Sequence, residues 1–184
     1  MTHSTLSDRV RSVKPSGSRP SQARLLDRLA QDLKPGRLEW IGLRTERRGD
    51  VRSVGSVVAL AELGLEGDHR STKTPGSGRQ VTIISVEFIE MICRFAGRDS
   101  ISPAWLRRNL LVSGINLNLL RHQRVRVGGA ILEPAALCHP CSRMNEVLGP
   151  GGAAAMYGFG GLCAKIVEGG VITVGDSIER LPQE

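Results

Sequence analysis

Aromatic residues are scarce in this chain of 184 residues, where Phe, Trp and Tyr together make up 3% of the sequence. Proteins that bind single-stranded nucleic acids stack the bases on such side chains, so their scarcity argues against that class. The formal net charge is +7, but residues 1–37 hold eight basic and only three acidic residues and so supply most of it. The remainder is nearly neutral, and we expect no specific nucleic-acid partner.

Long apolar runs are also absent. No stretch of eighteen apolar residues occurs, and the N-terminus lacks the apolar core of a signal peptide. The sequence has four cysteines, too few for the disulfide framework of a small secreted domain. We therefore expect free thiols, no membrane segment and a cytoplasmic location.

The first 37 residues differ in composition from the rest. Residues 1–20 are rich in Ser, Arg, Pro and Gly and are predicted to form a disordered basic tail, because they cannot bury enough apolar surface to order the chain. Residues 21–37 begin with leucines at helical spacing and reach a helix stop at Pro35-Gly36. The sequence predicts a helix and linker there, followed by one domain over residues 38–184.

Short apolar runs separated by turns fill most of this domain. The segment 38–60, broken at Gly49-Asp50, is typical of a hairpin, and Gly128-Gly129 and Gly169-Gly170 separate apolar segments at hairpin spacing. Helical patterns are few. The sequence therefore predicts a mainly β fold, a closed or nearly closed β-barrel with a few decorating helices. Further strands are predicted within 79–85, 109–114, 123–136 and 161–181, a turn at 102–108, and helices at 86–97 and 141–149.

Two cysteines, Cys138 and Cys141, bracket a His-Pro pair. A structural zinc site needs two such pairs, and a thioredoxin-type redox pair needs a βαβ setting, so neither interpretation is favoured. Cys93 and Cys163 stand beside apolar residues and are expected in the core, where free cysteine is common.

Cys141 is the stronger candidate for chemistry. A helix that began near Cys141 would place its thiol at the positive end of the helix dipole with Arg143 two residues on, and both effects favour the thiolate. A thiolate can bind a soft metal or accept a sulfur atom. Cys138 follows the apolar residues 135–137 and is expected to be a buried strand residue.

Three loop segments carry arginine beside turns: GLEGDHR at 64–70, GRQ at 78–80 and WLRRN at 105–109. Guanidinium groups and backbone N–H groups near glycine can bind a phosphate or a polar heterocycle, although each arginine alone could be a solvated surface charge. We expect these loops to meet on the barrel rim that carries Cys141, with Asp68 orienting an arginine. The predicted binding residues are Gly67, Asp68, His69, Arg70, Arg79, Arg107, Arg108, Asn109 and Arg143.

Six motifs in order, GLEGDHR, RQVTIIS, RRNLLVSGINL, RVRVGGAILEP, CHPC and GGVITVGDSI, carry a family resemblance. Over roughly residues 38–181 the chain resembles the MOSC domain of molybdenum cofactor sulfurases and mitochondrial amidoxime-reducing proteins, and most of all the small stand-alone bacterial type. The resemblance implies a β-barrel, a link to the molybdenum cofactor (molybdopterin), and a functional cysteine that corresponds to Cys141. The chain has no room for the pyridoxal-phosphate domain of the sulfurases, so desulfurase activity is not expected.

Two classes of function follow from the resemblance. In the first, Cys141 is a molybdenum ligand, and the protein is an oxidoreductase that reduces N-hydroxylated or similar small molecules. Its electrons would come from a separate reductase, because the sequence has no flavin or nicotinamide fingerprint. In the second, Cys141 carries a persulfide from a sulfur donor to a metallocofactor. A non-enzymatic cofactor carrier is a third possibility. The arginine-bearing loops favour the first, since a persulfide carrier has no evident need for an anion pocket.

Overall fold

A computed structural model describes residues 21–182 of the chain, so the tail predicted over residues 1–20 lies outside the described residues. The described helices are α1 Ser21–Ala30, α2 Val86–Ala96, α3 Arg143–Leu148 and α4 Gly152–Ala155, with a 3-10 turn at Leu117–Leu119. The strands are β1 Gly36–Arg44, β2 Val51–Val54, β3 Ser56–Leu60, β4 Gly64–Leu65, β5 Val81–Ser85, β6 Leu110–Ser113, β7 Val125–Val127, β8 Ala130–Leu137, β9 Leu162–Glu168, β10 Gly170–Thr173 and β11 Ser177–Arg180.

Seven of these strands close into a barrel. Their order is β11-β7-β8-β9-β5-β6-β1, and β1 pairs with β11 to complete the ring, with Gly36 opposite Ile178. The strand β2 extends the sheet beyond β1 as the second arm of a hairpin. All barrel neighbours are antiparallel except β5 and β6, which are parallel because α2 crosses over between them. The predicted mainly β barrel with decorating helices is confirmed.

A second, smaller sheet contains β10, β3 and β4. The hairpin predicted at Gly128-Gly129 is confirmed, since it joins β7 to β8. The hairpin predicted at Gly169-Gly170 is wrong, because β9 stays in the barrel whereas β10 pairs with β3. The second glycine pair allows a crossing rather than a turn: a Cβ on Gly170 would lie 2.1 Å from the carbonyl oxygen of Gly129.

The core has two parts. The first fills the barrel with the inward-facing side chains of the strands, such as the fully buried Leu38, Ile83 and Leu132. The second lies outside the barrel, where α2, α3 and α4 pack together and bury Ile92, Met144 and Met156 among others. Each fully buried side chain of this size contributes about 1.5–3 kcal/mol. Met144 matters for the site because it anchors the start of α3 and, with it, the preceding loop at residues 138–142.

The helices follow their sequence signals closely. The helix predicted over 86–97 is α2, in which the Ser85 hydroxyl accepts the backbone N–H of Phe88 and Gly97 ends the helix with φ of 61°. The helix α1 lies within the predicted 21–37 segment. Among residues 21–182 no helix has the length and apolar character that crossing a bilayer requires.

Candidate functional site

A cavity of about 400 Å³ opens where the β1–β2 loop meets the loops that precede β5, β6 and α3. Two histidines, His69 and His139, and three cysteines, Cys138, Cys141 and Cys163, contribute to its wall, and no carboxylate does. Eight arginines also line it: Arg44, Arg47, Arg48, Arg70, Arg79, Arg107, Arg108 and Arg143. A pocket with this charge attracts anions.

The three arginine-bearing loops meet at this cavity. The residues of the sequence prediction that line it are His69, Arg70, Arg79, Arg107, Arg108, Arg143 and Cys141. The structure therefore brings the loops together beside Cys141, while the binding role of each residue stays a prediction. Three other predicted binding residues, Gly67, Asp68 and Asn109, do not line the cavity.

Asp68 lies behind the pocket wall, where it is 1% exposed. Its carboxylate accepts hydrogen bonds from Arg44 Nε at 3.0 Å and Nη2 at 3.2 Å, and from the backbone N–H of Arg70 at 2.9 Å. Burial alone would raise the pKa of Asp68, but the hydrogen bonds and charge of Arg44 outweigh it and lower the pKa. Asp68 thus orients an arginine, and that arginine is Arg44, which was not among the predicted binding residues.

Asn109 completes this buried network and is fully buried. Its Nδ2 donates to Asp68 Oδ2 at 2.8 Å and to the Gly42 carbonyl at 2.9 Å. Its Oδ1 accepts from Arg44 Nη2 at 2.8 Å and from the Thr82 hydroxyl at 3.0 Å. Asn109 therefore positions Arg44 from behind the pocket wall, and its predicted contact with a ligand stays a prediction.

The arginines divide into tethered and free groups. Arg108 is 7% exposed and donates to the carbonyls of Gly160 and Leu106, both at 2.8 Å. Arg107, in a left-handed conformation with φ of 55°, donates to the carbonyl of Gly49. By contrast, the guanidinium groups of Arg70 and Arg79 make no hydrogen bond within residues 21–182. Arg47 and Arg48 of the β1–β2 loop make none either, so within the described chain four guanidinium groups of the pocket are available to an anion, and Arg70 and Arg79 are the two among the predicted binding residues.

Positive charge is crowded in this pocket. The pKa of Arg107 is lowered by burial and by the neighbouring guanidinium groups of Arg143 and Arg44. Arg143 itself reaches the β1–β2 loop, where its Nη2 donates to the Arg48 carbonyl at 3.3 Å. Like charges held this close repel one another, and a bound anion would relieve that repulsion.

Cys141 is exposed and lies on the pocket wall. The helix predicted to start near it starts two residues later, at Arg143, with Ser142 as the N-cap. The Cys141 carbonyl accepts the backbone N–H of Met144 at 2.9 Å, which forms the turn that leads into the helix. The helix predicted over 141–149 is thus α3, which begins near Cys141 as expected, although Cys141 itself lies just before its first turn.

Cys138 is not the buried strand residue that the sequence suggested. The strand β8 ends at Leu137, and Cys138 follows it, half-buried, with its backbone N–H donating to the Gly161 carbonyl at 2.8 Å. Cys163 on β9 lies opposite Ala136. Since alternate residues of a strand share a face, Cys138 and Cys163 are diagonal neighbours on one face, and both line the cavity.

This thiol pair has strongly unequal acidities. The hydrogen bond from Cys163 lowers the pKa of Cys138 to about 6 against the opposing effect of burial, and Arg108, Arg44 and Arg79 lower it further. The same hydrogen bond and burial raise the pKa of Cys163. We assign the negative charge of the pair to Cys138, because Cys138 is the more exposed of the two residues. The guanidinium group of Arg108 also lies next to Cys138, with Nη2 3.5 Å from its carbonyl oxygen. Cys163 is buried as expected, but its thiol also reaches the pocket.

Sequence reasoning also missed three arginines, Arg44, Arg47 and Arg48. They belong to the segment RTERR at the end of β1 and in the loop that follows. Their density in a hairpin loop was a usable signal, because hairpin loops lie at one end of a barrel where other loops gather. The Cys138–Cys163 contact had no local signal, since it depends on the register of β8 and β9.

The pocket has few donors for a bare metal ion. Among residues 21–182 no three His, Cys, Asp or Glu side chains come together as a metal site. A metal that binds at Cys141 would therefore have to bring most of its ligands with it. The site can hold an anion that carries a soft atom.

A seven-stranded barrel with an arginine-lined, thiol-bearing pocket at one end defines the class of protein. The sequence model of the MOSC domain matches residues 70–179, more than half of the chain. The chain belongs to the MOSC domain family. The match begins at Arg70, so β1 and most of the GLEGDHR motif lie before it.

Solved structures have the same fold. The YUAD protein from Bacillus subtilis is 22% identical with a TM-score of 0.71, over 83% of this chain and 99% of that one. YiiM from Escherichia coli is 20% identical with a TM-score of 0.60, over 80% and 71% of the two chains. YiiM from Geobacillus stearothermophilus is 16% identical with a TM-score of 0.64, over 80% and 75%. At these identities the likeness establishes the fold alone. No curated protein sequence gives a significant match.

Proposed function

We propose that this protein binds the molybdenum cofactor in the arginine-lined pocket, with Cys141 as the protein ligand to molybdenum. The observation that carries the proposal is the composition of the pocket wall, in which eight arginines and no carboxylate surround an exposed thiol. Molybdopterin needs both features, because it carries a phosphate and brings a soft metal that accepts a thiolate. Membership of the MOSC family supports the same assignment.

The phosphate half of the cofactor suits Arg70 and Arg79. Both line the pocket, and neither guanidinium group is committed to a hydrogen bond among the described residues. Arg44 is held in place by Asp68 and Asn109, so its guanidinium group lines the pocket in a fixed position, with its charge paired to Asp68. A pre-positioned cation loses less conformational entropy on binding than a free one.

The metal half suits Cys141. The pocket lacks a cluster of three protein ligands in the described chain, and molybdopterin supplies two sulfur donors of its own. The protein then needs to supply only one thiolate ligand, that of Cys141. The exposed position of Cys141 beside Pro140 and before α3 leaves its sulfur accessible from the cavity.

The reaction we assign is the reduction of N-hydroxylated or similar small molecules, with electrons from a separate donor protein. When bound, the molybdenum centre supplies the two-electron transfer. The chain must then supply protons, since cleavage of an N–O bond to an amine and water consumes two. His69 can serve, because its Nδ1 donates to the Arg44 carbonyl at 2.9 Å and so leaves Nε2 to hold and release a proton.

A second candidate function is sulfur carriage. The presence of three cysteines in one pocket favours it, since a persulfide needs an accessible thiolate and an acceptor. The two functions differ in what the purified protein contains. A carrier holds labile sulfur without pterin, whereas a cofactor-binding enzyme holds molybdenum and pterin together.

The deciding experiment uses protein made in a host that synthesises molybdopterin. Molybdenum is measured by mass spectrometry and pterin by fluorescence after oxidation. We expect both in near-equal amounts in the wild type, loss of molybdenum in Cys141→Ser, and loss of both in Arg70→Ala combined with Arg79→Ala. Arg94→Ala, on the exposed face of α2, is the matched control and should retain both. Wild-type protein with labile sulfur but neither molybdenum nor pterin would overturn the assignment in favour of the carrier.

A further inference from the structure

We propose that Cys138 is a second nucleophile of this pocket, a thiolate that forms a mixed disulfide with small disulfides carrying carboxylate groups. The inference concerns a different sulfur atom from Cys141. It goes beyond the proposed function and holds whether or not a cofactor binds. It stands on the geometry of Cys138 and Cys163 and on the charge of the surrounding wall.

The strand register fixes the thiol pair. Cys163 lies opposite Ala136 in the β8–β9 ladder, and the Cys138 N–H still bonds across to Gly161 although β8 has ended. Both side chains therefore reach the same face and the same cavity. Cys163 is 4% exposed and shielded from solvent, whereas Cys138 is only half-buried and is accessible to a ligand.

The groups that face Cys138 favour its negative charge. From outside its own loop they are the Cys163 thiol of β9, Arg44 of β1, Arg79 before β5 and Arg108 before β6. From its own loop they are His139 and Cys141. None of these groups is a carboxylate. The thiolate thus lies beside a buried thiol and among cations on several elements, which is the environment of a reactive cysteine.

Cys93 provides the opposite case within the same chain. It is also half-buried, but it lies on α2, where burial and the carboxylates of Glu90 and Asp99 raise its pKa. The two cysteines are both partly buried but have opposite electrostatics. Cys138 is the more enclosed of the two thiols, so faster reaction at Cys138 than at Cys93 would reflect its surroundings and not easier access.

The arginine-lined wall of the cavity favours disulfides that carry negative charge. A cavity lined by eight arginines and no carboxylate attracts anions and repels cations, and about 400 Å³ is enough for a small organic disulfide. In the reaction the Cys138 thiolate attacks one sulfur of the disulfide. One S–S bond forms, one breaks, and the other half leaves as a thiolate, so no further oxidant is needed. Cys163 keeps its proton.

The expected rate follows from the acidity. With a pKa of about 6 instead of the ordinary 9.0, the thiolate fraction at pH 7 is about ninetyfold larger. The intrinsic nucleophilicity of a thiolate falls with its pKa, here by about twentyfold. The net advantage of Cys138 at pH 7 is then about fourfold, before the attraction of an anionic partner to the arginines is added.

The test uses 5,5′-dithiobis(2-nitrobenzoate), a disulfide with two carboxylates, in limiting amount between pH 5 and pH 9. Release of the coloured thiolate gives the rate, and peptide mass mapping gives the residue. In Cys141→Ser protein, which removes the competing thiol, we expect Cys138 to carry the label with a midpoint near pH 6. At pH 7 it should react at least about fourfold faster than Cys93. Cys138→Ser should abolish the fast phase.

Two variants of Cys163 test its effect on the acidity of Cys138, and a cationic disulfide tests the effect of the arginine charge on the choice of partner. Cys163→Ala removes the donor and should move the midpoint upward toward 9.0, whereas Cys163→Ser keeps a donor and should restore part of the shift. Cystamine, a cationic disulfide, should react with Cys138 more slowly than with Cys93. Circular dichroism checks that each variant is folded. The proposal is overturned if Cys93 is labelled first at pH 7 or if folded Cys163→Ala keeps the midpoint. Accumulation of a Cys138–Cys163 disulfide would also overturn it.

Discussion

Arg44 and Asp68 form a buried, two-pronged ion pair behind the pocket wall, with Arg44 Nε 3.0 Å and Nη2 3.2 Å from the two carboxylate oxygens. Their side chains are 10% and 0% exposed. The pair joins the end of β1 to the loop after β4, and Asn109 ties both to the start of β6. One charged network therefore holds together three of the elements that build the pocket.

Asp68→Asn is expected to destabilise the fold strongly. The substitution removes the negative charge and leaves the Arg44 guanidinium buried without its counter-ion, which typically costs about 3–5 kcal/mol. The measurement is the free energy of unfolding from a urea titration. Glu168→Gln is the control, because it removes the exposed Arg124–Glu168 pair at 2.8 Å and should cost no more than about 1 kcal/mol. Equal losses in the two variants would contradict the importance of the buried pair.

The same pair makes stability depend on pH at the acid end. The pKa of Asp68 is lowered in the folded state from an ordinary 3.8. Its contribution is therefore complete above pH 3.8 and is lost as the pH falls below that value through the folded pKa. We expect the gap in unfolding free energy between wild type and Asp68→Asn to narrow between pH 6 and about pH 3. A gap that stays constant over this range would rule out Asp68 as its source.

Gly170→Ala tests the crossing from the barrel to the second sheet. The added Cβ would lie 2.1 Å from the Gly129 carbonyl oxygen, a backbone atom that cannot move without disturbing the β7–β8 hairpin. We expect a loss of about 1–3 kcal/mol or more in unfolding free energy. Gly55→Ala is the control, since a Cβ there meets nothing within 4 Å, and its effect should stay within about 1 kcal/mol. If both substitutions are neutral, the two sheets do not approach as described.

Local signals predicted most of the fold. Alternating apolar residues and turn glycines gave the barrel strands, and the Ser85 cap with Gly97 gave α2, because these features act within a few residues. The hairpin prediction at Gly169-Gly170 was wrong because glycine permits a tight turn and a close approach of two strands equally well. Only the position of Gly129, 41 residues before Gly170 in the chain, decides between them.

The candidate site was predictable only in part. The arginine loops and Cys141 carry recognisable residues, and the barrel brings them together. The Cys138–Cys163 pair depends instead on register shifts in the β8–β9 ladder, one of them between Pro134 and Ala136. A shift of one residue would turn Cys138 to the opposite face. Sequence spacing cannot specify such an irregularity, so Cys138 was assigned to the core although its side chain reaches the pocket.

The last prediction concerns the anion pocket without any cofactor. Inorganic pyrophosphate should stabilise the purified protein, because a ligand that binds only the folded state raises the melting temperature as its concentration rises above Kd. Sodium chloride at equal ionic strength is the reference, since salt screening would act on all charges alike. The double variant Arg70→Ser and Arg79→Ser should lose most of the pyrophosphate effect, as it lacks two of the four guanidinium groups of the pocket that are uncommitted among the described residues. Arg94→Ser removes an exposed charge from α2, away from the cavity, and should keep it. If the double variant responds like the wild type, pyrophosphate binds elsewhere, and Arg70 and Arg79 are solvated charges rather than ligand contacts.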